Sequence, residues 1–278
     1  MIPMTPIEVH GLRKTYGGTA AIDGIDMTVG SGEVFALLGP NGAGKSTTIE
    51  ILEGHRRRDG GDVRVLGEDP GTAGRRWRSR IGIVLQTATD AADLTVRETV
   101  RHFAGYYPSP RDPDEVISAV GLTEKADSRI RSLSGGQRRR VDVALGIVGR
   151  PELVFLDEPT TGFDPEARRQ FWALIRSLAA DGTTILLTTH YLDEAAALAG
   201  RLAIMLGGRI VAAGTPSTIG GLAHAQATVT WRDGAGLHEV RTDSPNTVVA
   251  QLGPDVTDLQ VRRPNLEDVY LDLIGARS

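Results

Sequence analysis

Short β-branched runs alternate with longer helical patterns from the start of the chain to about residue 215. That is the rhythm of an α/β domain built on a largely parallel sheet. Residues 7–9, Ile25–Val29 and Val63–Val65 read as strands. Glu33-Val34-Phe35-Ala36-Leu37-Leu38 is nearly all apolar, as expected of a central strand buried on both faces, and Leu153–Leu156 and Ile185–Leu187 share that character. From about 87 to 150 the pattern turns helical. Thr95-Val96-Arg97-Glu98 has capping-box spacing, and Val96, Val100, Phe103 and Tyr107 share one face of the helix that follows. Pro108 through Pro113 break the chain, and a second helix is expected near Asp114.

Beyond residue 217 the pattern changes. Ala225–Trp231 alternates like a half-exposed strand, and a turn at Asp233-Gly234 leads to Leu237–Arg241. Asn246–Leu252 reads as a helix and Val256–Val261 as a strand. Leu266, Val269, Tyr270, Leu273 and Ile274 form a helical stripe, with Asn265 placed to cap it and Gly275 to end it. Two domains are therefore expected, one over 1–217 with a helical subdomain at about 87–150, and a small α+β appendage over 218–278.

Composition narrows the choice of function. The chain has 278 residues, 40% hydrophobic and 24% charged, which is ordinary for a globular protein. A net charge of −4 argues against general affinity for phosphate backbones, so no nucleic-acid partner is expected. The cysteine count of 0 excludes disulfides, thiolate catalysis and cysteine-ligated metals. The N-terminal residues lack a signal-peptide pattern, and no apolar run approaches the ~18 residues of a membrane span. A cytoplasmic chain is expected. Lys14, Lys45 and Lys125 are the lysines; arginine supplies the other basic groups, and Arg56–Arg58, Arg75–Arg80 and Arg138–Arg140 read as solvated faces.

Three motifs carry chemistry. Gly39-Pro40-Asn41-Gly42-Ala43-Gly44-Lys45-Ser46 follows a buried strand and precedes a helix, the required setting of a phosphate-binding loop. Its glycines let backbone N–H groups turn toward phosphates, and the helix end adds its dipole. Lys45 then reaches the β/γ-phosphates, Ser46 ligates Mg²⁺ and Thr47 lies near the α-phosphate. Leu153–Leu156 leads into Asp157 and Glu158 at a strand's carboxyl end, where α/β sheets collect ligands. Asp157 is the candidate Mg²⁺ ligand, and Glu158 the candidate base for an attacking water. Leu133-Ser134-Gly135-Gly136-Gln137 recurs by chance with a probability on the order of 10⁻⁴ in average composition. Ser134 can cap the next helix and the glycines leave its first N–H groups bare, a second anion site.

With these motifs in this order, residues 5–215 resemble the nucleotide-binding subunit of an ATP-binding cassette (ABC) transporter. The resemblance implies a P-loop α/β fold of the ABC type and ATP with Mg²⁺ as ligands. It implies that Tyr16 stacks on adenine, that Gln86 touches Mg²⁺ and the attacking water, and that His190 contacts the γ-phosphate. Asp164, in Thr161-Gly162-Phe163-Asp164 where the family has Ser-Gly-Leu-Asp, takes the family role. Ser134, Gly135, Gly136 and Gln137 of one subunit are then expected to close over ATP held by another, in a head-to-tail homodimer. Arg263–Gly275, Asp93–Thr99 and Thr189–Ala195 resemble drug- and antibiotic-exporter ATPases of the daunorubicin-resistance type. Such subunits work at the inner face of the membrane with a separate ABC-2-type permease, expected to dock near Gln86 and residues 87–130. Related subunits export lipids, polysaccharides or peptides. A ribosome-acting ABC protein is disfavoured by the single set of motifs, and a chromosome-organising ATPase by the absence of heptads between Thr47 and Leu133. A small-molecule kinase leaves Leu133–Gln137 unexplained, and a non-catalytic scaffold leaves Glu158 and His190 unexplained.

Overall fold

The computed structural model describes residues 5–84, 93–253 and 255–275. Its residue contacts divide the chain into a unit up to Val211 and a second from Ala212 onward.

The larger unit opens with β1 (Ile7–Tyr16) and β2 (Thr19–Val29), paired antiparallel across a turn in which Gly17 and Gly18 both have positive φ, as a two-residue hairpin turn requires. β3 (Val34–Leu38) is buried at every position and leads through the glycine loop into α1 (Lys45–Leu52). β4 (Gly60–Val65) joins the other side of β1, giving a small antiparallel sheet in the order β2-β1-β4. This sheet and the length of β1 and β2 go beyond the short strands expected from sequence. Exposed positions along both strands dilute the apolar signal.

α2 (Arg75–Arg78) buries Trp77, whose indole N–H donates to the Val65 carbonyl at 2.8 Å. β5 (Ile81–Val84) follows, and then α3 (Val96–Ala104), which begins with the expected capping box of Thr95 and Glu98. α3 buries Val96 and Val100 and stops before Tyr107, so the expected stripe is only partly helical. α4 (Pro113–Ala119) is capped by Asp112, and α5 (Gly135–Ile147) by Ser134.

β6 (Leu153–Asp157), α6 (Pro165–Ala180), β7 (Thr184–Thr189), α7 (Leu192–Leu198), β8 (Arg201–Leu206) and β9 (Arg209–Gly214) complete the main sheet, whose order is β5-β6-β7-β3-β8-β9. β5, β6, β7, β3 and β8 run parallel. Phe35, Leu37, Phe155 and Leu186 from the main sheet share one apolar core with Ile7, Val9, Ile25 and Val63 of the antiparallel sheet. The central strands read as continuous apolar runs because both of their faces are covered.

In the second unit β10 (Ala227–Asp233) lies between β11 (Gly236–Thr242) and β12 (Thr257–Arg262), all antiparallel. α8 (Pro245–Gln251) and α9 (Leu266–Gly275) complete it. Asn265 caps α9 as the sequence indicates, its Oδ1 accepting from the backbone N–H of Glu267 and Asp268 at 2.9 and 3.1 Å.

Candidate functional site

The site grows from the order of three strands. β3 lies beside β7, and β7 beside β6, with Leu38 level with Thr189 and Thr188 level with Asp157. Their carboxyl ends therefore deliver the glycine loop, His190 and the pair Asp157-Glu158 to one edge. Residues more than a hundred positions apart in sequence meet there because each follows a neighbouring parallel strand.

The glycine loop is shaped by close packing. A Cβ at Gly39 would lie 2.3 Å from the Met205 carbonyl oxygen, and one at Gly44 would lie 2.4 Å from that of Ala21. Gly44 also has φ +104° and Gly42 φ +80°, backbone that L side chains rarely adopt. Lys45 is buried, and its ammonium donates to the carbonyls of Gly39 at 2.8 Å and Pro40 at 3.2 Å. Thr48 anchors the first turn of α1 by donating its hydroxyl to the Gly44 carbonyl at 2.9 Å.

Glu158 faces this loop. Its Oε1 is 3.6 Å from Lys45 Nζ and 3.2 Å from His190 Nδ1, which approaches without hydrogen-bond alignment. The backbone of Glu158 is left-handed, with φ +45°, a conformation that costs a non-glycine residue about 1–3 kcal/mol and that clusters at functional sites. Its N–H donates to the carbonyl and hydroxyl oxygens of Thr188, at 3.2 and 3.1 Å. The same Thr188 hydroxyl donates to Asp157 Oδ1, so one threonine holds the Asp157 carboxylate and the backbone of Glu158.

A cleft of about 520 Å³ has Tyr16, Asn41, Gly42, Lys45, Ser46, Thr47 and Glu158 among its walls, within the size range of small-ligand sites. Tyr16, at the tip of the β1–β2 hairpin, is 41% exposed, which leaves ring surface for stacking. The guanidinium of Arg56 and the ammonium of Lys14 stand 5.3 and 5.4 Å from its ring centre. Ser46 and Asp157 offer hard oxygen donors to the same edge, the chemistry that suits Mg²⁺. Among the described residues no cluster of three or more His, Asp or Glu side chains forms a self-sufficient metal cage.

The remaining sequence candidates lie elsewhere. Ser134 and Gln137 form a reciprocal cap at the start of α5: the Ser134 hydroxyl accepts from the Gln137 N–H at 3.3 Å, and Gln137 Oε1 accepts from the Ser134 N–H at 3.0 Å. Gly136 lies against Phe163, which places Gly135, Gly136 and the loop to Asp164 together. Asp164 caps α6 by accepting from the N–H groups of Glu166 and Ala167, at 3.0 and 2.8 Å. None of these residues lines the cleft of its own chain. Gln86 lies outside the described residues.

Four buried polar residues escaped the sequence reading. Thr188 is marked only by its place before His190. Arg139, expected on a solvated face, is 8% exposed and donates from Nη2 to the Asp157 carbonyl at 2.8 Å and from Nε to the Pro159 carbonyl at 3.2 Å. Burial pulls its guanidinium below the usual arginine range, with Asp142 and Asp157 opposing that. Arg56, Arg58 and Arg80 keep the expected surface role, in ion pairs with Glu50, Asp69 and Glu152. Glu53, at the end of α1, is 4% exposed, and burial pushes its carboxyl up to about 8, helped by the nearby charges of Asp157 and Glu50. Glu194, four residues past His190, is fully buried, and burial raises its carboxyl too. Trp172 donates to its Oε1 at 3.4 Å.

Residues 22–161 match the ABC transporter family model. The chain is 46% identical to the daunorubicin/doxorubicin resistance ATP-binding protein DrrA of Streptomyces peucetius, over 77% of this chain and 66% of that one. It is 36% identical to the Nod factor export ATP-binding protein I of Rhizobium sp. (strain N33), over 97% of both chains. A solved ATP-binding subunit of an ABC transporter superposes with a TM-score of 0.70 at 27% identity, over 77% of this chain and 91% of that one.

Proposed function

Since the chain belongs to the ABC transporter family as an ATP-binding, ATP-hydrolysing subunit, we propose that it powers export through a separate ABC-2-type permease. The observation that carries the chemistry is the convergence of Lys45, Glu158 and His190 at the ends of three adjacent strands. ATP lies with its adenine against Tyr16 and its phosphates over Gly39–Thr47, where the backbone N–H groups and the α1 dipole meet negative charge. Lys45 turns its ammonium to the β/γ-phosphates. Glu158 orients the attacking water and accepts its proton, and His190 holds the γ-phosphate. Mg²⁺ would be held by Ser46 and Asp157, with Gln86 the third ligand that the family resemblance implies, and would offset charge on the phosphate oxygens.

Because Ser134–Gln137 and Asp164 lie outside their own chain's cleft, they serve the ATP of a second copy in a head-to-tail homodimer with two composite sites. Moving such a dimer from 1:99 to 99:1 closed takes about 5.5 kcal/mol of differential binding, shared by two nucleotides. Among the described residues no helix is long and apolar enough to cross a membrane, so the path for cargo belongs to the permease. The chain is placed at the cytoplasmic face through that partner.

The likeness to the daunorubicin/doxorubicin resistance protein favours a drug or antibiotic as cargo. The likeness to a Nod factor export protein over 97% of both chains keeps a second reading, in which a lipid, polysaccharide or peptide is exported. Drug sensitivity of cells with and without the chain and its permease separates the two.

The test of the chemistry is Mg²⁺-ATP turnover and gel-filtration size for the native chain and Glu158→Gln. Native turnover is expected to be slow and to fall about 100-fold or more in the variant, the scale of general-base catalysis. The variant is expected to run as a dimer only with ATP. Turnover that survives in Glu158→Gln removes Glu158 from the role of base.

A further inference from the structure

The left-handed turn that carries Glu158 has one long bond of its own, from the Thr161 N–H to the Glu158 carbonyl at 3.4 Å, and is held further from outside. Rotation of Glu158 from φ +45° into the ordinary negative-φ region would swing its Cα–Cβ bond and carry the carboxylate away from Lys45 and His190. Thr188 secures one side of the turn through the Glu158 N–H. The other side is secured by Arg139, whose guanidinium donates to the Asp157 carbonyl and to the Pro159 carbonyl, the peptide oxygens on either side of the base. The two bonds leave from different nitrogens of one rigid plane, so they set the spacing and orientation of both carbonyls together.

We infer that Arg139 is a positioning residue for ATP hydrolysis, clamping residues 157–159 so that Glu158 points at the attacking water. The inference rests on Glu158 being the base. Arg139 is well placed for this work. It is buried, so water does not compete for its donors, and it sits on α5, a helix locked at its start by the Ser134–Gln137 cap. It does not line the nucleotide cleft. A clamp of this kind affects the chemical step and leaves ATP binding alone, because the glycine loop and Tyr16 are built from other elements.

The experiment uses the full chain with Arg139→Met, which keeps apolar bulk and removes the donors, and Arg139→Lys, which keeps charge and loses the planar fork. Both are assayed for kcat, KM for ATP and affinity for a fluorescent ATP analogue. Arg139→Met is expected to lower kcat about 10- to 100-fold, the scale of a small misplacement of a catalytic group, with KM within about twofold. Arg139→Lys is expected to lie between it and the native chain. In a Glu158→Gln background, Arg139→Met is expected to leave turnover and analogue affinity where Glu158→Gln alone puts them, since the two act as one unit.

Native kcat in Arg139→Met overturns the inference, as does a KM that rises in step with the loss. A further loss of the same size in the Glu158→Gln background also overturns it. If Arg139→Met does not fold, Arg139→Lys decides: reduced kcat at native KM supports the clamp, and native kcat sinks it. Failure of the underlying assignment shows separately, as turnover that persists in Glu158→Gln alone.

Discussion

Glu53 shows how burial changes the chemistry of a single side chain. In the unfolded chain its carboxyl ionises near the ordinary value of 4.5, and in the folded chain only near 8. Between those pH values the folded state holds a proton that the unfolded state has released. Stability therefore falls as pH rises through the window. His55, 3.3 Å from Oε2, and the charges of Glu50 and Asp157 surround it. Glu53→Gln mimics the neutral acid and is expected to stabilise the chain by about 4 kcal/mol at pH 8 while changing little at pH 4.5, as read from urea unfolding. Burial raises the Glu194 carboxyl in the same direction, and Glu194→Gln is expected to be tolerated. Glu194→Ala leaves the Trp172 N–H without its acceptor and is expected to cost about 2–3 kcal/mol in the same measurement. Neither residue is marked in the sequence, where a glutamate near a helix end reads as solvated.

Elements were more legible. The apolar runs of β3, β6 and β7, the capping box at Thr95 and the cap at Ser134 all stand where their patterns put them. These features report local conditions: burial on both faces, or one side chain meeting a backbone N–H three residues away. The antiparallel sheet of β1, β2 and β4 was less legible, because its long strands carry exposed positions and register shifts that blur the period. Ser134→Ala removes the acceptor for the Gln137 N–H and is expected to lower stability by about 1 kcal/mol. The loss of hydrolysis is expected to exceed what that destabilisation explains, because the same hydroxyl is proposed to meet the partner's ATP; comparing thermal unfolding with turnover checks it. Gly39→Ala would drive a methyl to 2.3 Å from the Met205 carbonyl. It is expected to abolish binding of a fluorescent ATP analogue by displacing the loop from β8.

At the scale of the whole molecule, the division at Val211 and Ala212 falls inside β9, a few residues before the change of pattern at residue 217. The larger unit contains all the described residues that converge on the cleft. A chain of residues 1–217 is therefore expected to bind ATP analogue with affinity within about threefold of the full chain, and a fluorescence titration of both checks that. Sequence alone determined the chemistry on offer: a glycine loop between a buried strand and a helix, an acidic pair at a strand end, a capped helix start and the alternation of strands with helices. Each is a property of adjacent residues and their periodicity. Tertiary structure decided how that chemistry is arranged. Strand order brought Glu158 between Lys45 and His190, and packing turned Arg139 inward onto the carbonyls beside Glu158. Burial then raised the carboxyls of Glu53 and Glu194. The reason is physical: helical and strand periods are set by near neighbours, whereas solvation and orientation are set by groups that only folding makes near.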